Sequence, residues 1–197
     1  MNFLAHLYLS KDNNHILIGN FIADAVKGKK HENYPKEIQV GILLHRQIDY
    51  FTDTHPIVRR SKRRLHERYD HYDGVIIDIL YDHFLAKNWL YYSEIPLEIY
   101  AKNVYSFFQK NIGILPVEMQ KLLPFMIQHN WLVSYASLEG IEKVLIGMNR
   151  RTKGISKMDL AIEDLIKYYD EFESDFLTFF IDLIQFSEEK TINLLSI

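Results

Sequence analysis

The chain has 197 residues, of which 48% are hydrophobic, 25% charged and 14% aromatic, the composition of a globular protein able to bury a sizeable core. It has no cysteine, which excludes disulfide staples, thiolate zinc sites and thiol catalysis, so any metal must take His, Asp, Glu or Asn. Lys+Arg 23 against Asp+Glu 26 leaves a net charge of -3, which argues against a protein that coats nucleic acid through overall charge.

Only 8 Gly and 5 Pro punctuate the sequence, and the stretches between them carry helical spacing, so we expect an all-α fold in a single domain over residues 1–197. The expected helices run, in chain order, over about Phe3 to Ser10, Asn13 to Lys29, Pro35 to Thr54, Pro56 to His71 and Gly74 to Trp89. Then come Pro96 to Lys110, Pro116 to Tyr135, Ser137 to Arg151 and Lys157 to Glu189, the last expected to break in two. Proline suits a first helical turn, where its missing N–H would have no intrahelical partner, so Pro35, Pro56, Pro96 and Pro116 mark starts. Pro124 falls inside a helix and predicts a kink or break near it. The opening Met1-Asn2-Phe3-Leu4 has no basic region ahead of its apolar residues, and no apolar run is long enough to span a bilayer, so we expect a cytoplasmic protein. Phe176 to Ile184, broken by Asp182, predicts a buried C-terminal helix, and the acidic run Asp159 to Asp175 a solvated face.

Ionisable residues in apolar positions carry the chemistry. At about 100° per residue, Ile38, Ile42, His45, Asp49 and Thr52 share one side of their helix, with Gln39, Arg46, Gln47 and Tyr50 opposite. A carboxylate on a buried stripe needs a cation, hydrogen bonds or a metal, and Asp53 extends the acidic edge by one turn. Asp78-Ile79-Leu80-Tyr81-Asp82-His83 sets a second carboxylate pair one turn apart among large apolar residues. Asn20 aligns with Asp24 in a third instance, and His6 is a fourth. Imidazole and oxygen donors from several helices favour a divalent ion such as Mn²⁺ or Mg²⁺, with Fe²⁺ or Zn²⁺ as alternatives.

These residues also resemble a known family. Met1-Asn2-Phe3-Leu4-Ala5-His6-Leu7, Gly19-Asn20-Phe21-Ile22-Ala23-Asp24, Gly41 with His45-Arg46-Gln47-Ile48-Asp49 and Thr52-Asp53, and Asp82-His83-Phe84-Leu85 stand in the order seen in the acyl carrier protein phosphodiesterases. The family is similar to the HD superfamily of helical metal-dependent phosphohydrolases, although the dipeptide here is Asp82-His83 rather than His-Asp. The resemblance implies an HD-like fold, a Mn²⁺-dependent site (Mg²⁺ or Fe²⁺ as substitutes) and removal of 4′-phosphopantetheine from the serine of holo-acyl carrier protein. It implicates Asp24, His45, Asp49, Asp82 and His83, with His6 and Asp53 beside them, and we expect Asp24, His45, Asp82 and His83 to make most of the metal shell. Asp49 or Asp53 would orient or deprotonate the attacking water, and His6 would protonate the leaving seryl oxygen.

Asn20 and Arg46 are candidates for substrate binding. The segment Arg59 to Arg68 holds six basic residues against Glu67, and carrier proteins are acidic around the modified serine, so Arg60, Arg63 and Arg64 are the expected docking cations. Two other readings stay open: a helical metal phosphohydrolase acting on a nucleotide or small phosphoester, and a non-enzymatic helical module whose carboxylates bridge arginines.

Overall fold

A computed structural model describes residues 1–196, and among them there are helices and no strand. The chain opens with α1 (Phe3–Leu9) and α2 (Asn14–Ile22). The Asn13 side chain starts α2 by accepting the backbone N–H groups of His15 and Ile16, each at 3.0 Å. The sequence spacing extends this helix to Lys29, but it ends at Ile22 and gives way to 3₁₀ turns at Ala23–Ala25 and Gly28–Asn33. Gly28 takes φ +60, and Arg46 donates to the carbonyls of Val26 and Gly28 at 2.7 and 2.9 Å. Those carbonyls would face along the axis of a continuing helix, so the guanidinium stabilises the exit.

Helices α3 (Lys36–Thr54) and α4 (Pro56–Tyr69) follow. Pro56 is the first residue of α4, whereas Pro35, Pro96 and Pro116 stand one place before α3, α6 (Leu97–Lys110) and α7 (Val117–Gln128). Pro124 does not break α7. The chain turns instead where Asn130 takes a left-handed φ of 44, a conformation its short polar side chain tolerates, before α8 (Trp131–Ser134). Next come α9 (Leu138–Arg151), α10 (Ala161–Lys167) and α11 (Tyr169–Leu195), the last two parted at Tyr168.

The core is organised around α5 (Asp73–Lys87), which buries Ile76, Ile77, Ile79, Leu80, Tyr81, Phe84 and Leu85 on all its sides. A helix apolar all round must be wrapped, and α1, α4, α9 and α11 pack against it. Phe172, Phe176, Phe179, Phe180 and Leu183 repeat at helical spacing and are fully buried along α11, each contributing about 1.5–3 kcal/mol by leaving water. That stripe explains why α11 runs unbroken for 27 residues. None of the described helices is long and apolar enough to cross a membrane.

Helix α3 packs between α2 and α11. Its approach to α2 is backbone on backbone at Gly19 and Gly41, where a Cβ on Gly41 would lie 2.4 Å from the Ile16 carbonyl oxygen and 2.8 Å from Gly19 Cα. The close approach brings the C-terminal end of α2, which carries Asn20, and the turn beyond it, which carries Asp24, against the His45 turn of α3.

The acidic run Asp159 to Asp175, which extends into α11, is not uniformly solvated. Asp175 is buried and receives Arg60, Arg64 (2.6 Å) and the Ser61 hydroxyl (2.7 Å) from α4. Arg68 reaches Glu163 at 2.8 Å and Asp164 at 3.0 Å. The basic segment and the acidic segment are therefore largely one interface between α4 and the last two helices.

Candidate active site

His6 of α1 and His45 of α3 are both buried and stack ring on ring, with centroids 3.7 Å apart and planes 12° from parallel. Asp49, one turn after His45, places Oδ1 3.1 Å from His6 Nε2 and Oδ2 3.2 Å from His45 Nε2. Asp24, in the 3₁₀ turn after α2, brings Oδ1 to 3.4 Å from the same His45 nitrogen. The helical stripe read from the sequence thus holds for His45 and Asp49, and the third and fourth motifs converge on it.

The electrostatics divide the two rings. Burial opposes charge on His45, but Asp24 and Asp49 outweigh it and raise its pKa to about 9. Burial and the neighbouring His45 charge lower His6 to about 4. Burial acts against ionisation of Asp49, yet hydrogen bonds from His45 and His6 hold its carboxyl well below the usual range. The His45 hydrogen bond also lowers Asp24. A stacked neutral and cationic imidazole pair held by two carboxylates is the resulting charge pattern.

This donor set fits a divalent cation. Donor atoms of His6, His45 and Asp49 lie within 4.8 Å of one another. His45 donates its Nδ1–H to the Asn20 carbonyl at 2.9 Å, the arrangement that fixes a ligating imidazole and leaves Nε2 directed at the carboxylates. His6 Nε2 also lies 3.1 Å from the Met1 carbonyl, while its Nδ1 is buried without a hydrogen-bond partner. Moving the ring proton to Nδ1 would expose a bare Nε2 beside Asp49.

Asp82 and His83 are not brought to this cluster, contrary to the shell inferred from resemblance. Neighbours on a helix point about 100° apart, and each meets a different need. Asp82 accepts the backbone N–H groups of Leu4 at 2.7 Å and Ala5 at 3.2 Å. It caps the first turn of α1, where Asn2 supplies no side-chain cap. Burial raises its pKa to about 7, against the Met1 amino group and the two N–H donors. His83 lies 2.7 Å from the Tyr135 carbonyl and 2.8 Å from the Tyr169 hydroxyl and does not line the cleft beside His6 and His45.

The other expected residues divide similarly. Asp53 is exposed and sits 3.7 Å from Lys62 rather than beside Asp49. Arg46 is committed to the Val26 and Gly28 carbonyls, so it holds the Asp24 turn in place. Asn20 lines the cleft, but its amide nitrogen donates to Ser10 Oγ at 2.8 Å, and its Oδ1 is buried and unpartnered. Arg60 and Arg64 bind Asp175, and Arg63 is exposed on α4, none of them lining the cleft.

That cleft has a volume of about 900 Å³. His6, Asp24, His45 and Asp78 give it a polar floor, Phe3, Phe21, Trp131 and Val144 an apolar wall, and Lys143, Arg150 and Arg151 a cationic border. Asp78 was legible as the partner of Asp82 one turn on, but not as a cleft residue; its carboxylate pairs with the Met1 amino group at 3.0 Å. The wall from α8 and α9 had no motif to announce it.

On geometry this is an all-helical protein with an imidazole and carboxylate cluster, suited to a divalent cation, at the floor of a cleft. Residues 1–183 match the family model described as acyl carrier protein phosphodiesterase, and the chain belongs to that family. Relatives bearing the name acyl carrier protein phosphodiesterase include one from Photorhabdus laumondii subsp. laumondii, 33% identical over 191 residues, 96% of each chain. Others are from Yersinia pestis, 32% identical over 98% of this chain and all of the relative, and Pectobacterium atrosepticum, 31% identical over 95% and 98%. No solved structure matches the chain.

Proposed function

We propose that this chain hydrolyses the phosphodiester joining 4′-phosphopantetheine to the serine of holo-acyl carrier protein, releasing apo-carrier protein, and that it does so in the cytoplasm. The observation that carries the reading is the convergence of His6, His45 and Asp49 within 4.8 Å beside a cleft of about 900 Å³, in a member of this family.

His6, His45 and Asp49 are the residues that would hold a divalent ion, Mn²⁺ first, with Mg²⁺ or Fe²⁺ as substitutes. When bound, such an ion supplies a nucleophilic water at neutral pH and draws charge from the phosphoryl oxygens. Asp24, ionised and 3.4 Å from His45 Nε2, would take the attacking water's proton and return it to the seryl oxygen as the bond between phosphorus and that oxygen breaks. Asp49 holds both rings in register, and the Asn20 carbonyl fixes the orientation of His45. Phe3, Phe21 and Trp131 offer the pantetheine arm an apolar wall that excludes water from the reacting side.

Mass spectrometry of holo-carrier protein incubated with the chain and Mn²⁺ tests the reading. Loss of the phosphopantetheine mass, abolished by a chelator, is expected. Intact holo-carrier protein with Mn²⁺, Mg²⁺ and Fe²⁺ alike would refute it, and release of phosphate from nucleotides instead would establish the small-phosphoester alternative.

A further inference from the structure

The basic segment expected to dock the substrate has little free charge. Of the α4 cations, Arg60 and Arg64 are held by Asp175, Lys62 lies 3.7 Å from Asp53 and 3.6 Å from Asp73, and Arg68 is taken by Glu163 and Asp164. Among the described residues Arg59 and Arg63 have no ion-pair partner, and no α4 residue lines the cleft.

The opposite holds at the end of α9. Arg150 and Arg151 are exposed and border the cleft itself. Lys153 and Lys157 follow, also exposed, and no acidic residue interrupts Arg150 to Lys157. None of these four cations has an ion-pair partner among the described residues. Between the lysines stands Ile155, 71% exposed. The turn that carries them is ordered by its own hydrogen bonds: Ser156 Oγ donates to Asn149 Oδ1 at 3.0 Å, and Gly154 N–H to the Asn149 carbonyl at 2.9 Å. Cations presented on an ordered turn lose little freedom when a partner arrives.

We propose that Arg150, Arg151, Lys153 and Lys157, with Ile155 among them, form the docking surface for the acidic carrier domain, so that its prosthetic arm enters the cleft past α9. This rests on the phosphodiesterase reading above and names where its macromolecular substrate sits. Charge complementarity chooses the occupant: an uncompensated cationic patch at the border of the cleft, in a chain of net charge -3, steers an acidic partner and fixes its orientation.

The test uses the full chain loaded with Mn²⁺. Apo-carrier protein, the product, is titrated to measure binding, and kcat and KM are measured on holo-carrier protein. The triple substitution Arg150→Glu, Arg151→Glu, Lys153→Glu should weaken apo-carrier binding and lower kcat/KM by about tenfold or more at low salt, chiefly through KM. The difference should shrink at roughly 0.5 M salt, where exposed charges are screened. The milder pair Arg150→Gln, Arg151→Gln should show a smaller loss in the same direction with an unchanged Tm. Unaltered binding in a folded triple variant would overturn the docking surface while leaving the enzymatic reading intact, as would a loss confined to Arg59→Glu, Arg63→Glu. Neither turnover nor binding by the unsubstituted chain would overturn both.

Discussion

Replacing Gly41 by Ala should destabilise the protein, although helix propensity alone predicts the reverse. Both Gly41 and Gly19 lie inside helices, where Ala is favoured by about 1 kcal/mol. At Gly41, however, the added methyl would stand 2.4 Å from the Ile16 carbonyl oxygen and 2.8 Å from Gly19 Cα, and backbone atoms cannot rotate aside. Ordinary contact begins near 3.4 Å, so α2 and α3 must part by about 1 Å. Overpacking of this kind costs roughly 1–3 kcal/mol, and more where nothing can yield. The bond from His45 Nδ1 to the Asn20 carbonyl, now 2.9 Å, would lengthen beyond useful range and forfeit about 1 kcal/mol more.

Against the propensity gain of about 1 kcal/mol, the net loss is about 1–3 kcal/mol, and for a chain of this size it should lower Tm by roughly 2–12 °C. Thermal unfolding followed by circular dichroism measures it, with Gly147→Ala as the contrast. A Cβ at Gly147, on the exposed side of α9, meets nothing within 4 Å, so that variant should gain up to about 1 kcal/mol. Because His45 loses its anchor, Gly41→Ala should also weaken Mn²⁺ binding at temperatures where the variant remains folded. A Tm for Gly41→Ala equal to or above the parent's would refute the close-packing argument.

Asp82→Ala should leave the Leu4 and Ala5 N–H groups buried and unpaired, at a cost of about 1–3 kcal/mol each; folded Asp82→Asn should keep its metal content, whereas His45→Ala and Asp49→Ala should lose it by elemental analysis. Asp175→Ala should cost about 1.5–3 kcal/mol in urea unfolding by removing the buried carboxylate that holds Arg60, Arg64 and Ser61, and Asp175→Asn should cost less. The pH dependence of the metal-free chain follows from His45. Its folded pKa of about 9 lies above the ordinary 6.5, so its stabilisation is complete below pH 6.5 and is lost as pH rises towards 9. The Met1 amino group, raised to about 10, adds a loss of the same sign above pH 8. Urea midpoints should therefore fall between pH 6.5 and 8, and Asp24→Asn should flatten that slope.

What the sequence determined by itself was local. Helical spacing and four prolines marked most of the helices, because the period of a helix and the missing N–H of proline act within a few residues. The same period placed His45 and Asp49 on one stripe of α3, and the apolar run Phe176 to Ile184 marked α11 as a buried helix. It also aligned Asn20 with Asp24, though α2 ends between them and Arg46 holds the turn that follows. The tertiary structure decided which partner each polar group met. Asp82 and His83 are adjacent, yet one caps α1 and the other reaches Tyr135 and Tyr169. The cations of α4 looked available until Asp175, more than a hundred residues away, folded against them. Periodicity states which side of a helix faces inward, but not which distant element lies opposite. The free energy of a buried charge depends on that partner, so the site's membership and the placement of unpaired cations were settled only by packing.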